Sequence, residues 1–371
     1  MNLTLGLSLT SSTILRAGTP DPLKYSLDFQ NAVYKGDTLT NMLGEAGNYV
    51  GGLYEREDNG NLVSVAANQV QITSNGLEVW QNRTNAAFQS RDLTNATWTK
   101  TGVTVARSTG RNGSANQGSR VTVVSADGTA ELPVTTETIN NFIGAVDIKR
   151  VSGTGGASMT VDGGATWVAL TGVSTSWQRL RIPTQNLATP KVMFKFDTAG
   201  DVFDMDYVTC QSGTILGPRI ATTTARVNCP QNRATCLNKP PLRDFIKGGA
   251  YTAFWKGKMD ANGGRGIFVS DANFNCSVQA DGSISWGTAS KPAGTFAFGV
   301  DQTVCISRDA AGVSRISVNG GAIATGTVGS PAALTHFDIS TNGAGAFNIA
   351  GVVRKIAFYT PLTDSQMMTL A

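Results

Sequence analysis

Histidine is almost missing from this chain: His336 is the only one in 371 residues. That removes His-dependent nucleophile triads and His-rich metal centres from consideration as organising chemistry. His336 itself, in an Ala-Leu-Thr-His-Phe run, reads as a strand residue with its hydrogen bonds satisfied. Charge is scarce as well. Charged residues make up 15% of the chain and the net charge is +4. The basic residues are scattered, so there is no block of Lys and Arg to grip phosphates, and nucleic acid is not an expected partner. No apolar run approaches the length of a membrane span, and no membrane is expected. The opening MNLTLGLSLTSS has no charged n-region and alternates apolar with polar, so it does not read as a signal peptide.

Cysteine is sparse, and its spacing fits no zinc pattern. The five stand at Cys210, Cys229, Cys236, Cys276 and Cys305. Cys276 and Cys305 lie in strand-like runs and read as small core hydrophobes. Cys229 and Cys236 bracket a short Pro-containing loop and could close a disulfide, although assembly in a reducing cytosol would leave them as thiols.

What the chain does have is turn-forming and small polar residues. Gly numbers 42, and Thr, Ser, Asn and Ala fill much of the rest, which is the composition of turn-dense β structure with polar faces. The expected fold is all-β: an N-terminal extended arm followed by two antiparallel β-sandwiches. Residues 1–75 hold short alternating pieces, including Tyr25–Phe29 and a hairpin signalled by Asp58-Asn59-Gly60. The first twenty carry too little apolar mass for a core and read as an arm. Residues 76–215 carry short alternating strands at jelly-roll spacing, with Trp98 and Trp177 as candidates to close the core. Residues 216–246 read as a Pro- and Thr-rich linker. Residues 247–371 form the second sandwich, with one helix at its end, capped by Thr363 or Asp364.

Acid chemistry has one close pair to offer. Asp204 and Asp206 share a strand face by the period-2 rule, the spacing a glycosidase would need tested first. The simpler reading is a solvated strand face, and no enzyme is expected. The Gly-rich pieces (Gly153–Gly156, Gly263-Gly264, Gly343–Gly345) lack the setting of a phosphate loop and read as hairpin tips.

Two resemblances follow from particular residues. The strand Tyr251–Met259, the hairpin at 303–326 and the ending from Phe347 to Leu370 resemble concanavalin A-like, laminin-G-like lectin domains. The Tyr25–Phe29 stretch, the Gly76-Leu77…Arg83-Thr84-Asn85 turn, the Asn95–Gly102 segment and the Gln211…Gly213…Ile220 stretch are similar to multidomain virion proteins of tailed bacteriophages. In that family a carbohydrate-binding-module-like jelly roll precedes the lectin-like domain. Ser212 stands where an acid is usual, and Val79-Trp80 follows Glu78 where a second acid is favoured. The resemblance implies a fibre, spike or decoration protein on a phage head or tail, assembled in the bacterial cytoplasm and carried on the virion. Its arm would bind other virion proteins, its copies would form a homo-oligomer with a trimer favoured, and its sandwiches would meet host cell-surface polysaccharide. A purely architectural role is the alternative, and a polysaccharide-degrading tailspike enzyme a less favoured one. For a sugar, Trp167, Trp286 and Tyr359 are the candidate stacking platforms. No cofactor is required; a structural calcium ion is the one metal the resemblance admits, without a ligand set that spacing can assign.

Overall fold

The computed structural model describes residues 21–36, 54–58, 61–64, 72–80, 83–134, 140–229, 234–237, 240–260, 265–270, 273–339 and 350–371. Among these, strands dominate, and helix is confined to Pro240–Lys247 and Asp364–Leu370. The fold is all-β, and two apolar cores divide it.

The first core lies between a sheet of eight strands and a sheet of five, counted among the described residues. Across the larger sheet run Gln178–Arg181, Asn140–Ser152, Val202–Ser212, Gly118–Val123 and Val103–Ser108, each antiparallel to the next. The smaller sheet orders Val168–Ala169, Ala157–Thr160, Lys191–Phe196, Gly128–Pro133 and Thr99–Thr101. Alternation sets the packing: Val192, Phe194 and Phe196 enter the core, while Lys191, Met193 and Lys195 face outward. Trp98, 1% exposed, closes this core beside Phe194 with ring centroids 6.2 Å apart. Trp177 does not share that role. It stays half-buried outside the core, with the Lys149 ammonium 5.1 Å from its ring centroid. Gln178–Arg181 is an edge strand whose inward positions are taken by Leu180 and then Ile182, which leaves no room inside for the indole.

The second core lies between sheets of nine and six strands among the described residues. Tyr251–Met259 runs between Asp301–Arg308 and Gly351–Tyr359. Phe274 sits among Tyr251, Trp286 and Phe337, all edge-on, with centroids at 5.6, 5.7 and 5.0 Å. Cys276 and Cys305 are core residues as expected, and burial pushes the Cys305 thiol up to about 12. The terminal helix starts at a capping box in which Thr363 and Gln366 satisfy each other's backbone N–H groups.

Three segments depart from the expected boundaries. The strand Leu23–Asp28, read as a short piece of the N-terminal region ahead of both sandwiches, lies between Val33–Lys35 and Gly351–Tyr359. Its Leu27 and the following Phe29 are each 1% exposed within the second core. Gly76–Val79, read as the start of the jelly roll, also pairs with Gly351–Tyr359. The stretch read as a linker holds the strands Val227–Cys229 and Ala234–Leu237 and the helix Pro240–Lys247. That helix had a signal: paired prolines at its first turn, then Leu242, Phe245 and Ile246 at helical spacing, all of which pack on the second core. The physical reason is common to all three. Alternation identifies a strand but not its sheet: the two N-terminal strands pair with Gly351–Tyr359, more than 270 residues away, and the linker strands likewise pair with distant segments. The hairpin Tyr54–Asp58 with Asn61–Ser64 forms in the expected register, pairing Asp58 with Asn61; its two turn residues, and residues 1–20, lie outside the described residues. Cys229 is buried beside Trp80 and Ile220 on a strand paired with Arg83–Asn85. Cys236 stands on a strand of a different sheet, and its side chain is outside the described residues.

The Arg83-Thr84-Asn85 run, read as a turn, is a strand, and it forms one clasp with the Gln-x-Gly stretch. The buried Asn85 amide donates to the Val208 and Ile220 carbonyls at 3.1 and 2.9 Å and accepts from the Ala87 and Cys210 N–H groups at 3.2 and 2.9 Å. Arg83 Nε donates to the Ile215 carbonyl at 3.1 Å. Gln211 accepts from Gly217 N–H at 2.8 Å and donates to the Pro218 carbonyl at 3.1 Å. Further along, Lys100 Nζ donates to the Leu93, Thr94 and Asn95 carbonyls at 3.2, 3.2 and 3.0 Å, fixing the loop that delivers Trp98.

Candidate functional site

Of the three aromatic candidates, Trp167 keeps a half-exposed ring. It ends the loop that follows Ala157–Thr160, and two glycines shape that loop. Gly163 and Gly164 have φ of +74° and +94°, the left-handed region where a side chain is strained. They let the chain fold across Lys191 and Met193. A Cβ on Gly164 would lie 3.4 Å from Trp167 Cζ2 and 3.7 Å from Met193 Sδ. Asp162 pins the loop: one carboxylate oxygen accepts from the Thr160 hydroxyl at 2.5 Å and Thr166 N–H at 3.0 Å, the other from Gln185 Nε2 at 3.2 Å. Burial alone would raise this carboxyl, but hydrogen bonds from Thr160, Thr166 and Ala165 outweigh it and hold the group below its ordinary value.

The surface beside Trp167 is the outward face of the five-stranded sheet. Cross-strand register lines up Ser158, Lys195, Thr129 and Thr101 in one row, and Thr160, Met193, Glu131 and Thr99 in the next. Lys195 Nζ stands 5.6 Å from the Trp167 ring centroid and 3.6 Å from Asp127. Glu131 pairs with Lys191. The result is a flat apolar ring bordered by hydroxyls, a carboxylate and two ammonium groups. A pyranose offers the complementary set: a C–H face for stacking and hydroxyls for hydrogen bonds. The sequence pointed to Trp167 but to none of these neighbours, because they come from strands apart in the chain.

The other two aromatics are corrections. Trp286 is 0% exposed, its indole N–H directed at the Ser307 carbonyl 3.4 Å away and its ring among Tyr251 and Phe274. Strand Ile284–Trp286 turns Ile284 and Trp286 to the same side, and that side is the core. Tyr359, 9% exposed, is packed with Phe254 and Ala357 under Leu23, Leu362 and Leu370. Burial pushes its hydroxyl upward, with Cys305 and Asp21 adding to the effect. Neither ring has a face for a sugar. His336 lies on a strand, His336–Ile339, as expected.

Asp204 and Asp206 do share the outward face of the eight-stranded sheet, yet they are neither solvated nor poised as an acid pair. Arg120 Nε and Nη2 bind the two Asp204 oxygens at 2.8 and 3.0 Å, with Lys149 Nζ 3.4 Å from the second. Arg91 holds Asp206 in the same two-pronged way at 2.8 and 2.9 Å. Asp147, beside them, takes both prongs of Arg219 at 2.5 and 2.9 Å. A bulge with Tyr207 at φ +44° turns Asp206 and Tyr207 outward together, and Arg91 stacks on the Tyr207 ring at 4.2 Å. Burial pushes the Asp206 carboxyl above its ordinary value against the pull of Arg91. A carboxylate held by a guanidinium fork is committed to structure.

A structural calcium ion would draw on carboxylate and carbonyl oxygens. Among the described residues no three Asp, Glu, His or Cys side chains converge on one point. Asp201 lies beside the loop at Gly153–Gly156, with Arg150 Nη1 3.5 Å from its carboxylate.

Comparison with known proteins adds little. No protein-family model matches this chain, and no curated protein does. Among solved structures, a Trypanosoma rangeli sialidase in complex with the inhibitor DANA matches at 13% identity over 38% of this chain and 27% of its own, with a TM-score of 0.30. The CBM22-1 xylan-binding domain from Paenibacillus barcinonensis Xyn10C matches at 13% identity, covering 36% of this chain and 94% of its own, TM-score 0.27. The CBM22-1-CBM22-2 tandem domain of the same protein matches at 11% identity over 77% of this chain and 92% of its own, TM-score 0.27. The chain thus spans about a quarter of the sialidase. Scores of this size leave the sheet topology itself as the ground for the fold: an all-β protein of two antiparallel sandwiches.

Proposed function

We propose that this chain is a non-enzymatic glycan-binding module of a tailed-bacteriophage virion, contacting host surface polysaccharide through the outward face of the five-stranded sheet. The observation that carries the binding part is the half-exposed Trp167 ring with Lys195 Nζ 5.6 Å from its centroid, on a sheet face that also carries Met193 and Glu131. The virion part is supported by the order of motifs at Tyr25–Phe29, Arg83–Asn85, Asn95–Gly102 and Gln211–Ile220. The non-enzymatic part is supported by Asp204 and Asp206, each committed to an arginine. One stacked ring gives weak binding, so display in several copies, a trimer for preference, supplies the avidity. The test is a glycan array with wild-type protein and Trp167→Ala. Stacking of this kind contributes about 0.5–1.5 kcal/mol, so the variant is expected to bind up to about tenfold more weakly. Wild-type protein that binds no glycan and no host envelope fraction would sink the reading.

A purely architectural role is favoured by one observation, the burial of Trp286 and Tyr359, which leaves the second sandwich without either expected platform. Under that reading Trp167→Ala changes no adsorption at all.

A further inference from the structure

The opposite sheet of the first sandwich carries a different surface. Edge strand Gln178–Arg181 pairs Arg179 with Asp147 and Arg181 with Ala145. Period-2 geometry then puts Trp177, Arg179 and Arg181 on one face, spanning roughly 13 Å at strand rise. Leu180 points the other way, into the core. The Lys149 ammonium over the Trp177 ring confirms the side, since Lys149 also meets Asp204 on the outward face. Arg181 is exposed and lines a cavity of about 380 Å³ with Ile143, Pro183, Thr184 and Thr214.

The charge on this face is unbalanced. Asp204 is shared between Lys149 and the two-pronged Arg120, and Asp147 is taken by Arg219 with Arg111 close at 3.7 Å. Glu78 and Asp260 line the cleft that Arg179 enters. Among the described residues no carboxylate lines the cavity at Arg181. A half-exposed indole with an ammonium against it, followed along one strand by guanidinium groups, suits a ligand with both sugar rings and negative charge. Arginine binds carboxylate and sulfate alike through its planar fork.

We propose that Trp177, Lys149 and Arg181 form a second saccharide site, selective for acidic glycans bearing carboxylate or sulfate groups and separate from the Trp167 face. The site shares with the proposed function only the premise that this sandwich meets glycans; it stands on other residues and another sheet. Oligogalacturonate and dextran sulfate are the anionic probes, with neutral dextran of matched length as the control, titrated by calorimetry at low and then raised salt. Both anionic probes are expected to bind with affinity that falls as salt rises. Arg181→Gln and Lys149→Gln should each weaken binding about fivefold and Trp177→Ala about tenfold. Trp167→Ala should leave it unchanged. Arg181 is on the surface and Asp204 keeps Arg120 when Lys149 is replaced, so those two variants report on binding even if Trp177→Ala misfolds. Absence of binding at low salt, or binding untouched by both cation replacements, overturns the proposal. Single-stranded DNA bound as tightly as the oligogalacturonate overturns the ligand class. Loss of neutral-glycan binding in wild-type protein counts against the Trp167 face alone.

Discussion

Asn85 ties four buried backbone groups together with one side chain. Its amide spends all four hydrogen-bonding positions on buried backbone groups from Ala87, Val208, Cys210 and Ile220. Replacing it with Ala strands those groups without water, at about 1–3 kcal/mol for each one left unpaired. Asn85→Ala is therefore expected to lose at least about 3 kcal/mol in denaturant unfolding. Asn85→Asp should do little better, since a carboxylate has no N–H for the two carbonyls. Asp162 makes a pH prediction at the same scale. Its folded value lies below the ordinary 3.8, so the ionised group holds the Trp167 loop at any pH above that value. The contribution disappears as pH falls through the lowered value. Glycan binding through Trp167 is expected to be level from neutral pH down to the ordinary carboxylate range and to fall off only below it. In Asp162→Asn that acid-side drop should vanish, with weaker binding at every pH.

At the scale of elements, Leu23–Asp28 is the strand whose place matters most. It lies against Gly351–Tyr359 and helps bury the second core through Leu27 and Phe29. Leu27→Ala is expected to cost about 2–5 kcal/mol and to unfold the second sandwich, not the first. Limited proteolysis distinguishes the two, because the first sandwich should survive as a resistant band. For the same reason residues 247–371 produced alone should be insoluble. Alternation in Tyr25–Phe29 made the strand legible in the sequence. Its partner was not legible, since a strand with one apolar face accepts any core that offers a matching edge.

For the molecule as a whole, the described chain begins in the second sandwich, pairs a hairpin at 54–64 with Arg219–Ile220, rejoins the second sandwich at Gly76–Val79, then builds the first sandwich and returns after Cys229. The exit and return are neighbours: Arg83 pairs with Cys229 in antiparallel register, which places their Cα atoms about 5 Å apart. The first sandwich is thus an insertion with adjacent ends, the arrangement that tolerates excision. Residues 83–229 are expected to fold alone with one cooperative unfolding transition by circular dichroism. A broad, non-cooperative melt would show that Trp80, Ile220 and the hairpin strand Tyr54–Asp58, which pairs with Arg219–Ile220, belong to that core as well.

By itself the sequence determined the class of fold. Sparse charge, abundant glycine and short alternating runs leave antiparallel sandwiches as the solution, and the Thr363 cap was readable because its role depends on neighbours in the chain. The tertiary structure decided what alternation cannot encode: which strand meets which, and which face turns to water. Trp167, Trp177 and Trp286 occur in similar runs, yet one lies on an outward sheet face, one under a lysine at a sheet edge and one inside a core. Burial is a property of the partner surface, and for these residues that surface comes from distant strands.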